Sequence, residues 1–300
     1  MKNFVELEAV LVRNKITKKK LALVCAHEAS ALLAVDNVAK RGYIEPILIG
    51  DKKEIETLMV DSELHTAYTI IDQQDPVKAA QIAVEMARKG EVELIMKGFI
   101  QTSDLLKAVV NKETGIREQK VLSHVALTEI PHRNAMYFVS DGGMIPYPTY
   151  EQKIGIIENT ISVAHAIGIE VPKVALLDAA EHTNPRIPSS FESEKLAQLE
   201  WENAILEGPI SLDLAISKEA VDVKQYKGKI QGDANILIVP DIISGNILGK
   251  AGTLLTDGKM AGIIQGAKVP IILTSRGSME DEKINSILLS CFIAERNKKI

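Results

Sequence analysis

The chain has 300 residues, 46% hydrophobic, 25% charged and 4% aromatic, with a formal net charge of -5. That length holds one large core or two ordinary ones, and that apolar share is typical of a soluble globular protein. The acidic balance and scarce aromatic rings argue against a nucleic-acid surface, no apolar run is long enough to span a bilayer, and the two cysteines and six histidines lack metal-ligand spacing. Cys25 and Cys291 lie in separate apolar runs, as buried free thiols of a cytoplasmic protein do.

Met1 to Arg13 alternates acids with Phe4, Val5, Leu7, Val10 and Leu11, which predicts an amphipathic helix rather than a signal peptide. Lys18-Lys19-Lys20 reads as a solvated charge run ahead of a first strand, Leu21–Val24. A helix over Ala29–Lys40, a strand at Pro46–Ile49, a short helix from Asp51 and a strand at Tyr68–Ile71 follow. Asp75 and Pro76 are an N-cap and a first-turn proline, opening a helix that ends at Lys89-Gly90. Next come a strand at Glu93–Met96 and a helix from about Thr102, itself or Ser103 the cap, to Val110. Strand and helix in regular alternation predict an α/β fold, a parallel sheet with helices on both faces.

The pattern breaks from Asn111 to Glu118, and two strand-like runs, Ser123–Ile130 and Ala135–Val139, follow with little helix between them. That change marks a domain boundary near residue 127. Thr149 with Gln152 forms a capping box for a helix to His165. Strands at Val174–Leu177, Ile236–Val239 and Ile271–Leu273 follow, and Ser278 with Asp281 forms a second capping box for a closing helix to about Arg296. With no low-complexity linker, any two domains should pack closely across a cleft.

Four strand ends carry residues suited to chemistry. Ser275 and Arg276 stand at the carboxyl end of a strand and before a helix N-terminus, where open α/β sheets place ligands and a guanidinium suits a phosphate or carboxylate. Arg276 pairing with a surface acid and Ser275 merely turning the chain is the alternative. In Met96-Lys97-Gly98, Lys97 offers a point charge and Gly98 lets a ligand approach the backbone; a solvated lysine on a turn is the competing account. Asp141, in Ser140-Asp141-Gly142-Gly143, either orients a ligand or caps its own turn. Ser244, Gly245 and Asn246 can surround a phosphate or pantetheine with backbone and amide groups. Glu282, a helical turn beyond Arg276, is a general base if its surroundings raise its pKa, with Asp281 the better cap. His27, His124 and His132 read as hydrogen-bonded structural residues. Neither a P-loop nor a dinucleotide fingerprint is present.

Taken in order, Met96-Lys-Gly98, Thr102, Leu105–Ala108, Leu122–Val125, Ser140–Gly143, Pro172–Ala175, Asn184–Pro188, Val239–Asp241, Gly245-Asn246, Ala261–Gly266 and Pro270–Arg276 resemble the phosphate acetyl/butyryl transferase family, its butyryl branch most closely. The resemblance runs from about Leu21 to the C-terminus. It implies transfer of a short acyl group between CoA and inorganic phosphate, with acyl-CoA, phosphate and acyl phosphate as ligands. CoA is then a substrate or product, and no separate cofactor or metal is called for. It implies two α/β domains with a cleft between them, isocitrate/isopropylmalate dehydrogenase-like, the first made of 1–126 and 275–300 and the second of 127–274. It implies a homodimer or larger homo-oligomer in the cytoplasm. By the same resemblance Ser275 donates to the oxyanion, Arg276 holds the phosphoryl group, and the catalytic acid falls on Glu282, where the acetyl branch has aspartate. Lys97, Gly98 and Thr102 then line the phosphate or CoA side, and Asp141, Gly142, Gly245 and Asn246 bind substrate. Gly277-Ser278-Met279, Met144–Pro148 and Leu214 depart from the butyryl pattern and bear on acyl-chain choice, butyryl or branched first and acetyl second. A non-catalytic acyl-CoA or acyl-phosphate sensing module is the alternative, and a metal-dependent 2-hydroxy-acid dehydrogenase ranks below it.

Overall fold

The computed structural model describes residues 1–274, 277 and 279–297. The elements in chain order are α1 (Phe4–Arg13), β1 (Lys19–Val24), α2 (Ala29–Lys40), β2 (Ile44–Gly50), α3 (Lys52–Asp61), β3 (Thr69–Asp72), α4 (Pro76–Lys89), β4 (Leu94–Lys97) and α5 (Thr102–Val109). Next come β5 (Ser123–Ile130), a 3-10 turn (Pro131–Arg133), β6 (Ala135–Ser140), α6 (Tyr150–Ala166), β7 (Lys173–Leu177), α7 (Pro188–Ala197), β8 (Ile205–Ile210), α8 (Leu212–Ile216), α9 (Lys218–Lys224), β9 (Ile236–Ile238) and α10 (Ile242–Leu254). The chain closes with β10 (Met260–Gln265), β11 (Ile271–Ile272) and α11 (Glu280–Asn297).

The fold is mixed α/β and divides into two compact units. A terminal unit holds Phe4–Lys120 and the segment from Met260 onward; a central unit holds Val121–Lys259 with the first three residues. The residue pattern breaks near 127 and the family resemblance implies a return at 275; the contacts divide the chain at 121 and 260, β10 staying with the terminal unit, where it hydrogen-bonds to β11.

Strand order in the terminal unit is β3-β2-β1-β4-β11-β10, and only β10 runs antiparallel to its neighbour in that unit. In the central unit the order is β5-β6-β9-β7-β8, with β5 antiparallel to β6 and the rest parallel. The sheet is therefore mixed where alternation alone predicts a parallel one: the Pro131–Arg133 turn is too short for the crossover that parallel strands need. Leu21, Leu23, Leu48, Ile95, Met96, Ile271 and Ile272 fill the terminal core, as doubly covered strands require.

Local signals act as read at several element ends. Asp75 accepts the Val77 and Lys78 amides at the start of α4, and both halves of the Thr149–Gln152 capping box form. Phe4, Leu7 and Leu11 bury the inner stripe of α1. The second capping box involves Ser278, which lies outside the described residues. The cap of α5 is Gln101 rather than Thr102 or Ser103, and its side chain makes no capping bond among the described residues.

Lys19 overturns the reading of a solvated lysine run. Its side chain is fully buried, with Nζ 2.5 Å from Glu295 Oε2 of α11 and 2.8 Å from Thr17 Oγ1. The strand begins two residues earlier than the apolar run indicates, and its period of two turns Lys19 inward while Lys18 and Lys20 stay exposed. The Lys19 ammonium beside it holds the Glu295 carboxyl below its ordinary pKa of 4.5, against the opposing effect of burial.

Removing the ammonium strands an acid at the C-terminal end of α11. Lys19→Ala is expected to cost about 3 kcal/mol in urea unfolding at neutral pH. A carboxyl with a lowered folded pKa contributes stability above its ordinary value and loses it as acid protonates it, so the gap between Lys19→Ala and wild type should narrow below pH 4.5. An unchanged midpoint in the variant would contradict the clamp.

Candidate functional site

In the terminal unit, parallel pairing sets strand ends level. Val24 of β1 lies beside Lys97 of β4, and Met96 beside Ile272 of β11. Beyond β4 the chain folds over β1: the Gly98 amide donates to the Val24 carbonyl and the Phe99 amide to the Cys25 carbonyl, each at 2.8 Å. A Cβ at Gly98 would sit 2.3 Å from the Cys25 oxygen, so this crossing needs glycine. Its absent side chain is thus taken up by the neighbouring strand end.

Lys97 is buried, 7% exposed, and its Nζ donates to the Gly98 carbonyl at 3.2 Å. A solvated turn lysine is therefore not what the fold builds; the ammonium is held at the carboxyl edge of the sheet. Thr102 is exposed on the first turn of α5. The His27 ring packs tilted against Phe99 with centroids 5.4 Å apart. Burial pushes the Cys25 thiol up to about 11, Lys97 opposing and Asp75 adding to the shift, so this thiol stays protonated and is no nucleophile.

Glu282 is half-buried in the first turn of α11. Ser275 and Arg276, which carried the first candidate, lie outside the described residues. Beside Glu282 the sequence reading misses Lys283, whose side chain is 1% exposed and whose Nζ lies 3.8 Å from Glu28 Oε1. A signal exists: Lys283 shares the i, i+4, i+8 stripe of buried Ile287 and Cys291.

The central unit brings four predicted residues together. Asp141, 2% exposed, directly follows β6 and accepts the Gly143 amide at 2.8 Å and the Met144 amide at 2.9 Å on Oδ1. It caps its turn, and Oδ2 is sealed without a partner among the described residues. Gly142 and Gly245 touch backbone to backbone, since a Cβ at Gly245 would lie 2.7 Å from the Asp141 carbonyl oxygen and 2.8 Å from Gly142 Cα. Asn246 Nδ2 donates to the Gly142 carbonyl at 3.3 Å. Gly245 and Asn246 thus belong to α10, whose cap Asp241 accepts the Ser244 amide at 2.9 Å.

His124 joins this group unforeseen. It stands in β5, antiparallel to β6, and Ser140 Oγ donates to its carbonyl at 2.7 Å. The ring lies against Gly143, where a Cβ would meet its Cγ at 3.0 Å. Burial lowers the His124 pKa against the pull of the Asp141 carboxylate; burial raises the Asp141 pKa against the Gly143 amide, His124 and the Met144 amide. No group of three or more His, Cys, Asp or Glu side chains among the described residues is placed to hold a metal ion, and no helix among them is long and apolar enough to cross a membrane.

A buried lysine at the end of β4 and an asparagine amide beside the turn after β6 thus stand at the carboxyl ends of α/β strands. The sequence profile of the phosphate acetyl/butaryl transferase family matches residues 65–291, and the chain belongs to that family. It is 37% identical over 281 residues to a phosphate butyryltransferase of Clostridium acetobutylicum, covering 92% of this chain and 93% of that one. It is 37% identical to a phosphate acetyltransferase of Thermotoga maritima, covering 97% of this chain and 100% of that one. A branched-chain phosphotransacylase from Enterococcus faecalis V583 superposes with a TM-score of 0.83 at 34% identity, covering 92% of this chain and 99% of that one.

The crossing of β4 over β1 gives a direct check. Gly98→Ala is expected to destabilise the protein at the upper end of the roughly 1–3 kcal/mol typical of overpacking, because its obstacle is a carbonyl rather than a movable side chain. A denaturant midpoint equal to wild type would show that the crossing tolerates a methyl group.

Proposed function

We propose that this chain is a phosphate acyltransferase that moves a short acyl group directly between CoA and inorganic phosphate, with butyryl or a branched short chain preferred. Membership of the phosphate acetyl/butaryl transferase family carries the reading. Relatives named phosphate butyryltransferase and branched-chain phosphotransacylase support the chain preference, and the similar identity to a phosphate acetyltransferase makes acetyl the competitor.

Phosphate attacks the thioester carbonyl. A C–O bond forms, the carbonyl electrons move to oxygen, and on collapse the C–S bond breaks with its electron pair going to sulfur. Ser275 donates to the oxyanion, while Arg276 and Lys97 neutralise the phosphate. Gly98 and Thr102 border the phosphate or CoA side, and Asp141, Gly142, Gly245 and Asn246 contact substrate. Glu282 exchanges the thiol proton. The neutral Cys25 thiol speaks against an acyl-cysteine intermediate at that position. Holding two substrates in line supplies on the order of 7–11 kcal/mol in well-oriented systems, so positioning and charge suffice. A fold relation to isocitrate and isopropylmalate dehydrogenases, a homo-oligomeric state and a cytoplasmic setting form part of this reading.

Purified protein should release free thiol from butyryl-CoA only when inorganic phosphate is present, and a series of acyl-CoAs should rank butyryl or a branched chain above acetyl. Ser275→Ala should lower kcat about 10²–10³-fold, the usual effect of removing an oxyanion donor. Arg276→Ala should raise the KM for phosphate. Thiol release without phosphate would make the protein a thioesterase, and full activity in both variants would move the site elsewhere.

A further inference from the structure

Helix α10 is built the wrong way round for a helix that only covers its own unit. It buries Gly245 and Gly249 and turns its large apolar side chains outward. A Cβ at Gly245 would lie 2.7 Å from the Asp141 carbonyl oxygen, and one at Gly252 would lie 2.8 Å from Thr128 Cγ2, so the glycine side is the one pressed on the strands beneath. Ile243, Ile247, Leu254 and the adjoining Leu255 are 53% to 81% exposed. At 3.6 residues per turn Ile243, Ile247 and Leu254 fall on one line along the helix, about half a turn round from the glycines. A surface helix ordinarily buries its large apolar stripe and exposes a polar face. In α10 the exposed polar side chains are Asn246 and Lys250, and Lys250 carries the one charge between Ile242 and Leu254.

We propose that this stripe is the docking surface for a second copy of the chain, the two α10 helices lying antiparallel across a two-fold axis. This gives the homo-oligomeric part of the reading above a surface, and it rests on that part alone. A pairing centred between Leu248 and Gly249 sets Ile243 against Leu254 of the second copy, and Ile247 against Lys250 of the second copy. Each lysine then lays its methylenes over an isoleucine and carries its ammonium to the rim. The charges match in this arrangement. Asp257, exposed beyond the C-terminal end of α10, falls beside the N-terminal end of the second α10, where an acid is favoured. The positive end of each helix dipole also meets the negative end of the other.

The area agrees. A leucine or isoleucine side chain removes on the order of 100 Å² from water, so the four part-exposed ones bring roughly 300 Å² per copy. A standard interface takes about 800 Å² per partner, as an apolar centre inside a polar rim. The stripe has the size of such a centre, and Asn246, Lys250 and Asp257 stand where the rim falls. A two-fold pairing needs no second kind of surface, because the patch is its own complement. By contrast α9 exposes Val223 as its single large apolar side chain, which is ordinary for a protein surface.

Sedimentation equilibrium of the full-length protein reads association without any activity assay. Wild type should sediment as a dimer, or an even multiple of one, at micromolar concentration. Ile247→Glu and Leu254→Glu should each weaken association about tenfold or more while keeping the wild-type circular dichroism spectrum, since both side chains lie largely outside the core. A second variant, Ile247→Cys with Lys250→Cys, should join two chains by disulfides under oxidising conditions, and Val223→Cys should not; the native Cys25 and Cys291 are buried and stay out of the reaction. A monomeric wild type would overturn the proposal and leave the stripe to a different partner. Association of wild-type strength in both glutamate variants would overturn it too, as would cross-linking through Val223→Cys as complete as through the double variant. Either result would move the contact to another face. Phosphate-dependent thiol release by a monomer would leave the acyl-transfer reading standing, so the two can fail separately.

Discussion

Parallel pairing of β1 with β4, and of β4 with β11, fixes the height at which three strands of the terminal unit end. Each strand is buried on both faces, so its polar and charged residues can occur only at its ends, and level ends gather them. Lys97 is held there because the chain must cross β1 immediately afterwards, and Gly98 is the residue that lets it. A lysine buried at such a point, with its Nζ on a backbone carbonyl, loses the mobility of a surface lysine. At the opposite end of the same sheet, Lys19 ties β1 to the far end of α11, the helix that carries Glu282 in its first turn.

The central unit applies the same constraint with an acid. β6 and β9 run parallel with Ser140 beside Ile238, so the turns that follow them meet, and two glycines allow the backbones of Asp141-Gly142 and Gly245 to touch. Asp141 is buried there, and its Oδ1 accepts the Gly143 and Met144 amides. His124 of the antiparallel neighbour strand β5 is the charged group that opposes the effect of burial on the Asp141 carboxyl.

The strands and the caps were legible where their causes are local. Runs such as Leu21–Val24, the Asp75-Pro76 start and the Thr149–Gln152 box depend on residues a few positions apart, and they form as the sequence indicates. Lys19 was illegible because its burial depends on Glu295, which arrives at the far end of the chain. β8 was obscured by Gly208 and Pro209, residues that weaken a strand pattern yet are tolerated at the edge position β8 occupies in its unit. β10 was read only as a motif, its pattern interrupted by Gly262. For the candidate site, strand-end turns pointed to Lys97, Asp141 and Asn246, but turn chemistry carries no information about a partner on another strand or helix. Lys283 and His124 therefore needed the fold to bring them forward.

The central claim is direct acyl transfer between CoA and phosphate, and isotope exchange tests it most directly. Labelled inorganic phosphate, butyryl phosphate and the purified protein are incubated with and without CoA, and label entering butyryl phosphate is measured. The account predicts exchange with CoA present and none without it, because phosphate leaves the acyl group only when the thiol takes its place. Absence of exchange with CoA would contradict the phosphate acyltransferase assignment, and exchange without CoA would contradict direct transfer by revealing an acyl-enzyme.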